Sequence, residues 1–391
     1  MKYFATVFLF LAYFMQLLAQ KEYIYKKISK STGPLASVCY HPDNTKIIFG
    51  GADKLLYTYN VLTEEATSIV TGHVSPLTDV TYNKTGLYIY TTGDRSIKRW
   101  SSEGEILKNY TGNGTNIWSI GVTAKEDAII SGSFENMIRV WDNLTEMRFT
   151  RSLEAHDKSV LAVAFSNNDQ LIASGSLDMQ VILWDRVSGK QLKVFRGHTG
   201  NIYDVEFTPD DKYLVSCSKD KTIKIWNVET GALVRTLLGH SEAVNSIDIS
   251  SDGKLILSAG FDKTITLWNA TDGKDIYTFS GHEGAVNDVA FAPSSDRFAS
   301  VSEDKNLIIW ALNPLIFVEK YFLENYEKDK KESPLFKPQK ESESKADYKI
   351  RLEKQDAMNK VLIHKYYQEF FNQLKHSSID ESTANTSIII K

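Results

Sequence analysis

The chain has 391 residues, 42% hydrophobic and 24% charged, with a formal net charge of −4. That apolar share is ample for a buried core, and the near balance of charge excludes the strongly basic surface of a typical nucleic-acid-binding protein. Two cysteines exclude a disulfide framework and a Cys-rich zinc site.

Residues 3–19 (YFATVFLFLAYFMQLLA) carry no charge and follow Met1 and Lys2. One positive charge, an apolar run and a small residue form the layout of a secretory signal peptide, here 1–19, with cleavage expected after Ala19. The run is short for a bilayer span of about 20 residues, so the alternative is an anchor left uncleaved. The expectation is an exported protein, periplasmic or secreted, that meets membrane only if this segment is retained. The Ala19-Gln20 ending resembles exported proteins of the Bacteroidetes. Sequons at Asn83, Asn109, Asn113, Asn143, Asn269 and Asn385 would accept glycans only in a eukaryotic secretory pathway. Cys39 and Cys217 fall in non-adjacent repeats and in apolar strand patterns, where buried free thiols are expected.

A fixed period organises the next three quarters of the chain. Tryptophans stand at Trp100, Trp141, Trp184, Trp226, Trp268 and Trp310, spaced by 41, 43, 42, 42 and 42 residues. Tyr59 fills the same slot in a degenerate first unit. Six positions before each aromatic is an acid: Asp53, Asp94, Glu135, Asp178, Asp220, Asp262 and Asp304. Twenty-eight positions before the last four tryptophans stand His156, His198, His240 and His282, with His73 27 before Trp100 and Asn113 replacing His in the third unit. Each unit reads as four short strands. In the fourth these are VLAVAF (160–165), LIASGS (171–176), VILWD (181–185) and KQLKVF (190–195), separated by Asn, Asp and Ser-Gly turns. One such sheet cannot bury both faces, whereas seven packed around an axis can.

The Gly-His and Trp-Asp/Asn spacing resembles the WD40 (WD-repeat) family over residues 22–312. The resemblance implies an all-β, seven-bladed WD40 β-propeller, followed by a helical C-terminal extension that the residues beyond 312 suggest. It also implies that EYIYKKIS (22–29) closes the ring by pairing with LIIWAL (307–312). Four residue sets recur in register: His156, Ser174, Asp178, Trp184; His198, Ser216, Asp220, Trp226; His240, Ser258, Asp262, Trp268; and His282, Ser300, Asp304, Trp310. Any one could be mistaken for a hydrolase triad, but four copies argue for the structural hydrogen-bonded tetrad that the resemblance implies. No P-loop, nucleophile-elbow, HExxH or EF-hand motif occurs, so no catalytic residue, metal or cofactor is expected.

By similarity to the family, the top face is lined by the third and fifth residues after the His slot and by the residue before the turn acid. These positions assign partner binding to Trp118, Phe134, Leu161, Leu177, Tyr203, Lys219, Asn245, Phe261, Asn287 and Glu303. Trp118, Phe134, Tyr203 and Phe261 form the expected hot spot, because large aromatics dominate interfaces; plugging of the channel mouth is the other reading. The expected function is a non-catalytic protein–protein interaction scaffold, a monomeric ring taking a protein or peptide partner and no nucleic acid. A small ligand or sugar at the axial mouth is the alternative, and an enzyme a more distant one.

After the ring, 313–347 reads as a linker segment. Within it LIFVEKYF (315–322) is apolar enough to pack, and 327–347 is Lys- and Glu-rich and solvated. A helix is expected over 348–375, with Leu352, Met358, Leu362, Tyr366, Phe370 and Leu374 on one stripe, and a frayed tail over 376–391. The stretch 333–352 is similar to a tail of exported bacterial repeat proteins, a likeness resting on Tyr348 and Arg351.

Overall fold

The structure, a computed structural model, describes residues 23–142, 148–337 and 344–375. The expected signal peptide over 1–19, the expected frayed tail over 376–391, and the sequons at Asn143 and Asn385 lie outside these. The chain divides into two compact units, with the boundary between residues 311 and 312.

The first unit consists of seven antiparallel four-stranded sheets. Their innermost strands are Leu35–Tyr40, Asp79–Tyr82, Ile117–Val122, Val160–Phe165, Ile202–Phe207, Val244–Ile249 and Val286–Phe291, which define blades 1 to 7. Each packs against the next, and that of blade 7 against that of blade 1, so the ring is closed. The outermost strand of blade 7 comes from the other end of the unit: Ile24–Ile28 pairs antiparallel with Leu307–Ala311, with Ile24 opposite Trp310 and Ile28 opposite Leu307. Closure in this way gives the last blade's third strand the backbone partner it would otherwise lack.

The alternation of β-branched and aromatic residues buries both faces of every sheet, and the apolar cores fill the gaps between blades. Ala173, Leu183 and Phe195 of blade 4 meet Ile202, Leu214 and Trp226 of blade 5. Val140 and Leu153 of blade 3 meet Val163 and Trp184 of blade 4 in the same way. Gly175 shows how close the approach is, since a Cβ there would stand 2.5 Å from a methyl of Ile202. Cys217 is fully buried, while Cys39, also expected buried, is half-buried; both are free thiols.

The second unit departs from the expected linker. Leu315–Tyr321 (α1) and Leu323–Glu332 (α2) are helices, and a short 3-10 turn spans Pro334–Phe336. Charge richness misled here. Lys and Glu are good helix formers, Glu327 and Lys330 pair at 3.2 Å, and Tyr326 is buried amid the charged residues. The long helix α3 spans Lys345–Lys375, three residues more than expected at its start. Its C-terminal half buries Leu362, Tyr366, Phe370 and Leu374, whereas Leu352 of the same stripe is exposed. Phe317 of α1 packs on Phe370 and Phe371 with ring centroids 5.0 and 5.7 Å apart. Among the described residues no helix is long and apolar enough to cross a membrane.

Candidate functional site

One end of each blade carries two features that face each other: the loop entering the innermost strand and the turn after the second strand. The repeated His stands on the loop and the repeated acid on the turn. In blade 4, His156 Nδ1 lies 2.8 Å from Asp178, His156 Nε2 lies 2.8 Å from Ser174 Oγ, and Trp184 Nε1 donates to the same hydroxyl at 2.9 Å. The corresponding distances are 2.7, 2.9 and 2.9 Å in blade 5 (His198, Ser216, Asp220, Trp226). They are 2.9, 2.7 and 2.8 Å in blade 6 (His240, Ser258, Asp262, Trp268), and 2.8, 2.7 and 2.8 Å in blade 7 (His282, Ser300, Asp304, Trp310).

A carboxylate only accepts, so Nδ1 carries a proton; where Nε2 is bare it accepts from the serine hydroxyl, whose oxygen accepts from the indole. A backbone N–H adds to each carboxylate, as Thr199 N does to Asp220 at 2.9 Å. Burial pushes these carboxyls up, but the His partners and added donors outweigh it and hold Asp220, Asp262 and Asp304 well below the usual carboxylate range. The polarity matches that of a hydrolase triad, yet Ser174, Ser216, Ser258 and Ser300 have 0% exposure. A nucleophile so enclosed, with a lone pair taken by indole N–H, cannot reach a substrate carbonyl.

A fifth set of the same four positions comes together in blade 2, where His73 Nε2 meets Thr91 at 3.0 Å, Trp100 donates to Thr91 at 2.9 Å, and Asp94 stands 3.1 Å from His73 Nδ1 outside hydrogen-bond geometry. Sequence reasoning missed it because Thr replaces Ser and the turn is one residue shorter, although the registers of His73, Asp94 and Trp100 pointed to it. Blade 3 is incomplete. Asn113 accepts from Ser131 at 3.2 Å, Glu135 turns to Arg139 at 3.1 Å, and Trp141 Nε1 has no partner among the described residues. In blade 1, Asp53 accepts from Ser31 Oγ and Tyr57 OH, both at 2.7 Å.

Because the tetrads join loop to turn, residues flanking them share one rim of the ring. The backbone there is pinned: Lys219 N donates to Asn201 O and Phe261 N to Ala243 O, each at 2.9 Å. Trp118, Phe134 and Phe261 are 41%, 48% and 43% exposed, and the first two meet edge to face with centroids 5.4 Å apart. Lys219 and Glu303 are exposed; Tyr203 and Leu177 are half-buried. Three residues assigned to partner binding are otherwise engaged. Leu161 is buried, because the inner strand of blade 4 turns it into the core. Asn245 and Asn287 donate to carbonyls of the next blade, Val286 O at 2.9 Å and Leu35 O at 2.6 Å, and thus tie blade to blade. Thr78 does the same to Ile117 O at 2.8 Å.

A second set of ties that the sequence reading overlooked lies at the turns between first and second strands. Asp169 accepts from Ala124 N and Lys125 N of the preceding blade at 2.9 and 3.2 Å, and Asp211 from Asn167 N and Asn168 N at 2.7 and 3.0 Å. Asn44, Gly86, Glu126, Asp169, Asp211, Gly253 and Ser295 hold the corresponding positions, all with positive φ. Their near-constant spacing of 40 to 43 residues was the available signal.

The model of the WD domain, G-beta repeat family matches residues 64–101, 104–142, 147–185, 189–227, 231–269 and 273–311, more than half of the chain. Each match begins with the outermost strand of one blade and runs through three strands of the next. Among curated proteins, the COMPASS component SWD3 of Saccharomyces cerevisiae is 26% identical over 181 residues, 43% of this chain and 56% of that protein. The small ribosomal subunit protein RACK1y of Oryza sativa subsp. japonica is 44% identical over 64 residues, 16% of this chain and 19% of that protein. Pre-mRNA-processing factor 19 of Mus musculus is 24% identical over 161 residues, 40% and 32% respectively. The chain thus spans little more than half the length of the first of these relatives and a third or less of the other two.

Proposed function

Because the chain belongs to the WD-repeat family, we propose that it is a non-catalytic scaffold that docks a protein partner on the rim carrying Trp118, Phe134 and Phe261. The observation that carries this reading is the exposure of those three aromatics on one rim, where backbone hydrogen bonds pin loop to turn. Large rings held in place cost little entropy on binding and offer much apolar area. The names of two relatives, a COMPASS component and a small ribosomal subunit protein, supply the analogy of a propeller serving a larger assembly. The test is a cross-linked pull-down from native extract with wild type and a Trp118→Ala, Phe261→Ala variant of unchanged melting temperature. Loss of a specific partner in the variant supports the rim; retention of every partner moves the site elsewhere. Binding of only a small ligand or sugar favours the axial-mouth alternative.

We also propose export directed by residues 1–19, supported by the uncharged run after Lys2. The relatives described above are eukaryotic, and the bacterial likeness of the segment and tail stands as a proposal beside them. N-terminal sequencing of the mature protein tests it: a chain starting near Gln20 supports export, and intact Met1 in the soluble intracellular fraction overturns it. In a glycosylating pathway Asn109 is the exposed sequon among the described residues, since Asn83, Asn113 and Asn269 are buried.

A further inference from the structure

The innermost strands carry a girdle of hydrogen bonds at one register. At six of the seven junctions, the sixth residue after the His slot (Ser31 in blade 1) accepts the backbone N–H of the seventh in the next blade. Val80 N donates to Ser37 Oγ at 3.2 Å, Ile120 N to Asp79 at 2.9 Å and Val163 N to Ser119 Oγ at 3.3 Å. Further round, Ile247 N donates to Asp204 at 3.0 Å, Val289 N to Ser246 Oγ at 3.4 Å, and Val38 N to Asp288 at 2.8 Å across the ring closure. The junction between blades 4 and 5 lacks this tie, because the position holds Ala162, whose side chain has no polar atom. Val205 N there donates to Asp204 of its own strand at 2.8 Å. A rim tie accompanies the girdle at the same six junctions. Lys54 Nζ donates to Val74 O at 2.7 Å, Asn136 Nδ2 to Asp157 O at 2.9 Å and Lys221 Nζ to Ser241 O at 2.6 Å, while Thr78, Asn245 and Asn287 serve the other three. Blade 4 has Leu161 at the register of Thr78, Asn245 and Asn287, and Met179 at that of Lys54 and Lys221. Three positions that elsewhere reach the next blade are thus all apolar in blade 4. Among the described residues no hydrogen bond joins blades 4 and 5 at the axis or the rim. The opposite end of this junction is held, since Asn167 N and Asn168 N donate to Asp211 and Asn167 Nδ2 to Thr208 O at 3.1 Å.

We propose that the junction between blades 4 and 5 is a seam at which the rim side of the ring opens, hinged on the turn that carries Asp211. Between hinge and rim the two sheets meet through apolar contacts, Leu183 and Phe195 against Ile202, Leu214 and Trp226. Such contacts have no preferred direction, so the sheets can part at the rim without stranding a polar group. Val205 N keeps Asp204 as its acceptor throughout. Separation at any other junction breaks a girdle bond and a rim tie together, which costs more. The seam lies between the Trp118–Phe134 pair of blade 3 and Phe261 of blade 6, so its opening changes the span between the rim aromatics. The ring also shows what would close it. Ser37 and Ser246 donate to Asp79 and Asp288 at 3.1 and 2.6 Å, and Val289 N is shared between Ser246 and Asp288. Asp204 is the same acid at the same register, but the preceding blade offers Ala162 in place of the serine. Ala162→Ser should therefore complete the girdle.

Native-state hydrogen exchange of the full chain, read by mass spectrometry and corrected for intrinsic rates, tests the seam. In wild type the inner strands on either side of it, 160–165 and 202–207, should exchange roughly fivefold or more faster than 244–249 and 286–291. Ala162→Ser should slow the first two segments by roughly fivefold, the effect of one added hydrogen bond, and leave the last two unchanged. Equal protection of all four segments in wild type overturns the seam, as does a folded Ala162→Ser chain whose exchange is unchanged. Should that variant fail to fold, spin labels in place of Asp157 and Thr199, which are exposed at equivalent rim positions of blades 4 and 5, decide the matter. Their distance distribution should be broader than that of labels replacing Ser241 and Glu283 on blades 6 and 7, and equal widths overturn the proposal.

Discussion

Asp220 illustrates what a single residue does in this ring. Its carboxylate takes hydrogen bonds from His198, the Thr222 hydroxyl and Thr199 N, and thereby fastens a loop to the turn that faces it. Removing it strands a buried imidazole N–H, a class of loss that costs about 1–3 kcal/mol. Asp220→Ala should accordingly lower stability in denaturant titrations by about that amount, while rim-directed binding is unchanged. The same carboxylates set the acid limit of the fold. Because their folded pKa values are depressed, their contribution is present above the unfolded value of about 4 and disappears as pH falls through the folded values. A Thr222→Val, Asp220→Asn pair of variants should both flatten the acid limb of the stability profile, Asn the more strongly.

At the scale of elements, the strand Ile24–Ile28 matters more than its five residues suggest. It supplies the backbone partner for Leu307–Ala311 and buries Ile28 against blades 1 and 7. Without it a central strand becomes an edge with a row of unpaired groups. Deletion of 22–29 should cost on the order of 3–5 kcal/mol, from some four backbone hydrogen bonds at about 1 kcal/mol each plus lost burial. Calorimetry would check this, and an unchanged melting temperature would show that closure contributes little. The helices α1 and α2 carry the opposite lesson. Their charge content reads as solvated chain, but Ile316, Phe317, Val318 and Tyr326 give each one buried face, and a few apolar anchors suffice to fold a segment of good helix formers.

For the whole molecule, seven sheets placed face to face turn local repetition into a rim on which residues distant in sequence are neighbours. Trp118 and Phe134 touch, and Phe261 belongs to a blade three further round. If the rim is the docking surface, truncating Trp118 and Phe261 together should weaken partner binding at least tenfold, about 1.4 kcal/mol or more, because anchors of this type carry most interface energy. The melting temperature should stay within the range of ordinary surface substitutions, since all three side chains are over 40% exposed. Isothermal titration with the purified partner measures the first and differential scanning the second.

The sequence by itself determined the number of blades, the strand order, the closing strand and the membership of four tetrads. It could do so because each rests on a period of about 42 residues repeated seven times, and a repeat writes its contacts at constant separation. The Thr91 set and the inter-blade ties of Asp169 and Asp211 are written in the same period, under residue types that differ from copy to copy. What only the tertiary structure decided is where side chains of the same register point. Trp118 projects from the rim, Leu161 at the same offset enters the core, and Asn245 and Asn287 spend their amides on neighbouring blades. Repetition fixes register along a chain, whereas the space left between blades decides what each copy of a position touches.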